Sequence, residues 1–370
     1  MCEVNNILCV FLYKFEYMIS FESDYNNGAH EAVLEALINS NNSQTSSYGA
    51  DRFSLSAGEK IREACRVPDA DIYFLVGGTQ TNAAVIGTML RPYEGVIALR
   101  SGHIAVHEAG AVEFTGHKVL QLEDCTSSAD EAFRNAGKMT AECLEEFILK
   151  IENEPSCEHC VYAGMVYISL PTEYGIVYSA DELSRIYDVC RRHSLKLYVD
   201  GARLGYALAS DGCDITLPFL ASHCDCFYIG GTKVGALCGE AVVFPRGNAP
   251  EHFFTMIKQR GALLAKSRLV GVQFDALFTD GLYEKISRHA ILKAMEIKKL
   301  FLKNNIPLAL DSPTNQQFVI LDDDYAGKLM AKGILFEKWE SLREGKSIYR
   351  FATSWATKDE DIEQLSSELE

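Results

Sequence analysis

The sequence predicts an α/β protein, with a mainly parallel large-domain sheet, helices on both faces and a smaller α+β C-terminal domain. Three observations predict it. Short apolar runs of strand length alternate with longer stretches of helical spacing, the pattern of a parallel sheet. Gly77, His103, Asp200 and Lys233 each sit at or just past the end of such a run. The chain has 370 residues, 48% of them hydrophobic, which suits two domains or one large α/β unit. Residues 1–17 read as an appendage, 18–250 as the large domain and 251–370 as the smaller one.

Composition narrows the function classes. The formal net charge is −16, with acidic residues spread along the chain. Nucleic acid is therefore not an expected partner, since phosphate binding needs a basic face. No apolar run approaches the ~18–20 residues of a membrane span. Ile7 to Leu12 is apolar, but Glu3 precedes it and Lys14 and Glu16 follow. Without a basic start or a small-residue cleavage site, it does not read as a signal peptide. The 12 cysteines have no framework spacing; Cys157 and Cys160, and Cys224 and Cys226, are the close pairs. No metal site is expected from them. Scattered buried thiols suit a reducing compartment, and a cytoplasmic location is expected.

Along the chain, Ile19 to Tyr25 precedes the turn signal Asn26-Asn27-Gly28, and His30 to Asn39 has helical spacing. Ser23 and Asp24 read locally as caps or turn residues. Asp71 to Val76 reads as a buried strand, and Gly77-Gly78-Thr79-Gln80-Thr81-Asn82 follows, opening the helical run Ala83 to Leu90. A strand, two glycines and a helix start present backbone N–H groups and a positive dipole end, which suit a phosphate. Val96 to Leu99 is a strand, followed by Ser101-Gly102-His103. Asp124 to Glu154 reads as loop and surface helix, Tyr162 to Leu170 as strand, and Pro171 to Gly175 as turn. Ala180 to His193 is an amphipathic helix, and Leu195 to Val199 a strand ending at Asp200-Gly-Ala-Arg203. Cys226 to Ile229 is a strand, and Gly230-Gly231-Thr232 leads into Lys233. Pro245 to Pro250 reads as linker, His252 to Phe278 as one long helical region, and Ser287 to Lys303 as a helix. Phe318 to Leu321 and Ile348 to Ser354 are strands. Thr357-Lys-Asp-Glu360 reads as a capping box for a last helix to about Leu369.

Ligands in such sheets bind beyond the carboxyl ends of the strands. A lysine wedged among glycines there loses solvation, which lowers its pKa and suits it to a Schiff base. Alone, Lys233 reads more readily as a solvated turn residue, and Gly77 to Thr79 as a tight turn. Together the groups define a ligand: an aldehyde with a phosphate and a basic ring nitrogen. Gly77, Gly78 and Thr79 would hold the phosphate, Asp200 the protonated nitrogen, His103 the ring face and Lys233 the aldehyde carbon. Pyridoxal 5′-phosphate (PLP) has all of these features.

Five segments carry a family resemblance: Gly77-Gly-Thr-Gln-Thr-Asn82, His103 with Glu108-Ala-Gly, Asp200-Gly-Ala-Arg203, Gly230-Gly-Thr-Lys233 and Arg350-Phe-Ala-Thr-Ser-Trp355. From about Ile19 to the end, the chain resembles threonine aldolases, in the β-eliminating-lyase group of fold-type I PLP enzymes. The resemblance implies a transferase-like PLP fold and sites shared across a homodimer or homotetramer. It implies that Lys233 carries the cofactor, Asp200 pairs with the pyridine nitrogen and His103 stacks. Arg203 is implied at the cofactor hydroxyl or the substrate carboxylate, with Ser23 and Arg350 also binding that carboxylate. From approximate motif position, Lys266 is placed near a neighbouring subunit's phosphate. One segment departs from the family. Where threonine aldolases carry Glu-Asn-Thr-His-Asn, this chain has Ser169-Leu-Pro-Thr-Glu173-Tyr-Gly, so Glu173 stands where a histidine is expected. The implied reaction is retro-aldol cleavage of a β-hydroxy-α-amino acid to glycine and an aldehyde. A PLP lyase eliminating another β-substituent, and a non-catalytic relative, are the alternatives.

Overall fold

The computed structural model describes residues 18–125 and 135–369; the appendage 1–17 and part of the 124–154 region lie outside the described residues. The strands follow in chain order as β1 (Ile19–Ser20), β2 (Asp71–Leu75), β3 (Glu94–Leu99), β4 (Val119–Leu122), β5 (Tyr162–Ser169), β6 (Lys196–Asp200), β7 (Cys226–Gly230) and β8 (Glu240–Phe244). A seven-stranded sheet has the order β2-β8-β7-β6-β5-β3-β4. β8 is antiparallel to β2 and β7, and the other adjacent pairs are parallel.

Side chains alternate across this sheet as strand geometry requires. Val166, Ile168, Leu197, Val199, Phe227 and Ile229 enter one core. Met165, Tyr167, Tyr198, Cys226 and Tyr228 enter the other. Helices cover both. Ala57 and Ile61 of the helix Arg52–Cys65 and Leu183 and Ile186 of Ala180–Arg192 pack into the first core. Val85 and Ile86 of Gly78–Met89 pack into the second. Burial on both faces explains why the strands read as continuous apolar runs.

The C-terminal part carries β9 (Gln316–Asp322), β10 (Ile334–Leu335), β11 (Glu337–Ser341) and β12 (Lys346–Ala352). β11, β12 and β9 form an antiparallel sheet. β1 pairs in parallel with β10, and the Ala352 N–H donates to the Phe21 carbonyl at 2.8 Å. Phe21 and Phe351 stand with ring centroids 6.0 Å apart. The segment leading to Ser23 and Asp24 is thereby fixed against the C-terminal sheet.

Some elements differ from expectation. The region 252–278 is two helices, Phe253–Gln259 and Arg268–Leu277. Gly261 breaks it, with φ +67, a left-handed value that a helix cannot continue. The capping box at Thr357 does not form. The Thr357 hydroxyl accepts from the Ser354 N–H at 2.9 Å, and the Lys358 N–H bonds Asp361 at 2.8 Å. The helix Arg52–Cys65, capped by Asp51, and the strand β8 are elements beyond those the sequence predicts. Among the described residues, no helix is long and apolar enough to cross a membrane.

Candidate active site

The parallel strands deliver their carboxyl ends to one side of the large sheet, where a cavity of about 240 Å³ opens. Gly77, Gly78, Thr79, His103, Glu173, Asp200, Arg203 and Lys233 all line it. Ser23 and Arg350 are not among its lining residues.

The strand-end glycines follow from close backbone approach. A Cβ at Gly201 would lie 1.9 Å from the Tyr228 carbonyl oxygen, and one at Gly230 would lie 2.2 Å from that of Ala202. The β6 and β7 ends therefore leave no room for side chains, and the chain after Gly230 turns directly to Lys233. Burial pushes the Lys233 amine below its ordinary pKa and nearby Arg203 adds to this, against the pull of Asp24, Glu173 and Asp200. Its Nζ lies 5.8 Å from the Tyr25 ring centroid.

Asp200 ends β6 and is buried, with a full set of donors. Tyr167 donates to Oδ2 at 2.6 Å and Asn82 at 2.9 Å; the Ala202 N–H donates to Oδ1 at 3.0 Å, and Tyr228 also donates there. Burial raises the cost of its charge, but His103 and the Tyr167, Tyr228 and Asn82 hydrogen bonds outweigh this and hold its pKa below the ordinary value. The three side-chain donors come from β5, β7 and the helix Gly78–Met89, so the carboxylate is fixed from several elements.

His103 begins the short helix His103–Val106 after β3. Its Nδ1 lies 2.7 Å from Glu108 Oε1, which also accepts from Asn82 at 2.7 Å. An acceptor oxygen at that distance makes Nδ1 the donor, so in the neutral ring the lone pair is on Nε2. Burial lowers the His103 pKa, but the Glu108 hydrogen bond and the Glu173 and Asp200 charges more than compensate, and the net shift is upward.

Glu173 lies in the turn after β5. Ser169 donates to its Oε1 at 2.8 Å and lies 3.2 Å from the Tyr167 hydroxyl. A chain of polar contacts thus joins Glu173 to Asp200. Arg203 is buried and holds Asp24 with two bonds, Nε to Oδ2 at 2.7 Å and Nη2 to Oδ1 at 3.0 Å. Asn315 also donates to Asp24 at 3.0 Å. Its sequence neighbours make Asp24 a cap or turn residue, yet it is a buried ion-pair partner 179 residues from Arg203, which no local pattern could reveal. Burial raises the cost of the Asp24 charge, but Arg203 and Lys233 win and bring its pKa to about 2.

Arg350, on β12, bonds Gln316 Oε1 at 2.9 Å and the Glu22 carbonyl at 3.0 Å, and pairs with Glu337. Burial lowers its pKa, and the Arg203 charge lowers it further. The Ser23 hydroxyl oxygen and the Arg350 Nε are buried without a partner. Lys266 is exposed, between the helices Phe253–Gln259 and Arg268–Leu277 rather than on one.

The residues present fit PLP. Gly77 caps the helix Gly78–Met89 with no side chain, so its first N–H groups are open to an anion where Gly78 and Thr79 meet the cavity. A buried anionic Asp200 suits a protonated ring nitrogen, and a Lys233 amine with a lowered pKa suits an aldehyde.

A family model described as beta-eliminating lyase matches residues 20–346. The chain belongs to the beta-eliminating lyase family. It is 28% identical over 352 residues to the low specificity L-threonine aldolase of Pseudomonas sp. strain NCIMB 10558, covering 94% of this chain and 96% of that one. A solved Leishmania major threonine aldolase is 38% identical, with a TM-score of 0.89 and coverage of 95% and 98%. An aspartate aminotransferase double mutant from Thermus thermophilus, at 15% identity and a TM-score of 0.69, covers 98% of this chain and 94% of that one and shares the fold. The expected fold-type I architecture and lyase class are both borne out.

Proposed function

We propose that this lyase cleaves the Cα–Cβ bond of a β-hydroxy-α-amino acid, releasing glycine and an aldehyde, with threonine giving acetaldehyde. The observation that carries the reading is one cavity holding a low-pKa lysine, a buried anionic aspartate and an imidazole with a free ring nitrogen. The family resemblance to threonine aldolases supports the bond that is cleaved.

Lys233 and the Gly77–Thr79 helix start would hold PLP, which would supply the electron sink for the bond that breaks. Asp200 would keep the ring nitrogen protonated, and its four donors keep it anionic for that task. His103 would stack on the ring, with its Nδ1 tied to Glu108. Its Nε2 is the atom that takes the β-hydroxyl proton, alone or with Glu173. The family resemblance places Arg203, Arg350 and Ser23 at the carboxylate end, and of these Arg203 lines the cavity. A carboxylate arriving there meets the Arg203 guanidinium, whose Nε and Nη2 already hold Asp24. Asp24 holds Arg203 in place.

The family resemblance also supports a symmetric homodimer or a tetramer of dimers, with Lys266 reaching a neighbouring subunit's phosphate. The deciding experiment is product analysis on a panel of amino acids. Glycine plus an aldehyde from β-hydroxy substrates is expected. Pyruvate and ammonia from cysteine or serine would make the chain a β-eliminating enzyme instead. Absorption by bound cofactor without turnover would make it a binding protein.

A further inference from the structure

Besides Asp200 and Glu108, a further buried carboxyl group lines the cavity and has no part in the chemistry above. Glu240 opens β8 and is 4% exposed. Because β8 is antiparallel to both neighbours, its first residue stands beside their last ones, Leu75 of β2 and Gly230 of β7. Glu240 thus lies between the helix-start loop and the turn that carries Lys233.

Its contacts go to that turn. The Gly231 N–H donates to Oε2 at 3.1 Å, and the Thr232 hydroxyl donates to Oε1 at 2.8 Å. The same hydroxyl accepts from the Gly239 N–H at 3.1 Å. The Gly239 carbonyl accepts from Gly231 at 2.9 Å and from Thr232 at 3.1 Å. On the far side, the Tyr206 hydroxyl donates to the Lys233 carbonyl at 2.5 Å. The lysine backbone is therefore gripped from two sides, and Glu240 supplies the side-chain part of one grip.

We propose that Glu240 is a positioning residue for Lys233: its carboxyl group clamps the Gly231–Thr232 turn and so aims the amine into the cavity. Burial pushes the Glu240 carboxyl up to about 8, against the Thr232 and Gly231 hydrogen bonds and the Lys233 charge and with the help of Asp200. A mainly neutral carboxyl at neutral pH can sit beside a phosphate-binding loop without repelling the anion. The inference rests on Lys233 being the lysine that carries the cofactor.

The test is a double-mutant cycle on PLP affinity, titrated into cofactor-free full-length protein by absorbance and fluorescence. Lys233→Ala alone should weaken binding. Glu240→Ala should weaken it about tenfold, the size of one or two lost hydrogen bonds. Glu240→Gln, which can still bond both Gly231 and Thr232, should stay within about threefold of wild type. In the Lys233→Ala background, Glu240→Ala should cost less than about twofold, because its effect passes through the lysine. Wild-type affinity in Glu240→Ala overturns the proposal, as does an equal loss in the two backgrounds. If circular dichroism shows Glu240→Ala misfolded, Thr232→Val removes the same link from the other side under the same criteria. Wild-type affinity in Lys233→Ala would instead sink the Lys233 assignment, a failure visible before Glu240 is touched.

Discussion

Asp200 and Glu240 are both buried carboxyl groups on the wall of one cavity, at the end of β6 and the start of β8 with β7 between them, yet they are driven in opposite directions. Asp200 takes four donors, from Tyr167, Tyr228, Asn82 and the Ala202 N–H, and its pKa falls. Glu240 takes two, from Gly231 and Thr232, and its pKa rises to about 8. Burial penalises both charges, so donor count and the nearest cation decide the sign. His103 stands by Asp200, whereas Glu240 faces Lys233, whose own charge burial disfavours. One edge of the cavity is built to hold a negative charge and the adjoining edge to avoid one.

Removing the anion from the first edge should have the largest effect. Asp200→Asn keeps the shape but cannot hold a ring nitrogen protonated. Turnover should fall roughly 10²–10³-fold, the scale of losing a preorganised electrostatic partner, with the fold retained by circular dichroism. Near-normal turnover would remove Asp200 from the role.

The next effect extends the same edge through Ser169 to Glu173. If Glu173 shares the proton with His103, Glu173→Gln should cut turnover on β-hydroxy amino acids by roughly 10², the low end for general-base loss. The cofactor absorption band should not move. Kinetics unchanged across the panel would leave His103 as the sole base.

The smallest effect is on stability, at the carboxylate end. Asp24 has a folded pKa of about 2 against an ordinary 3.8, so its contribution is present above 3.8 and is lost as pH falls towards 2. Asp24→Asn leaves the Arg203 charge buried without its partner, which should cost about 3 kcal/mol in urea unfolding at pH 7. The variant's stability should then fall less than wild type's between pH 4 and 2.5. Parallel acid limbs for the two proteins would show that the pair does not carry the shift.

The strand-end positions were legible because each follows a short apolar run with glycine or a polar residue next to it. Gly77, His103, Asp200 and Lys233 could be placed at one sheet edge on that basis alone. What surrounds them could not. Tyr167 and Tyr228 look like ordinary core aromatics in a strand, and only three-dimensional register turns their hydroxyls onto Asp200. Asp24 pairs across the chain with Arg203, a contact with no local period. Glu240 belongs to an antiparallel strand in a sheet that otherwise runs parallel. Helical spacing across 252–278 hid the break that Gly261 imposes.

The most direct test of the assigned site is chemical. Borohydride reduction of PLP-loaded protein, followed by peptide mapping, should place the pyridoxyl label on Lys233. That result is expected because Lys233 faces the cavity with a lowered pKa, beside Asp200 and the open helix start at Gly78. Label on any other lysine, or none on Lys233 in protein that retains bound PLP, would contradict it.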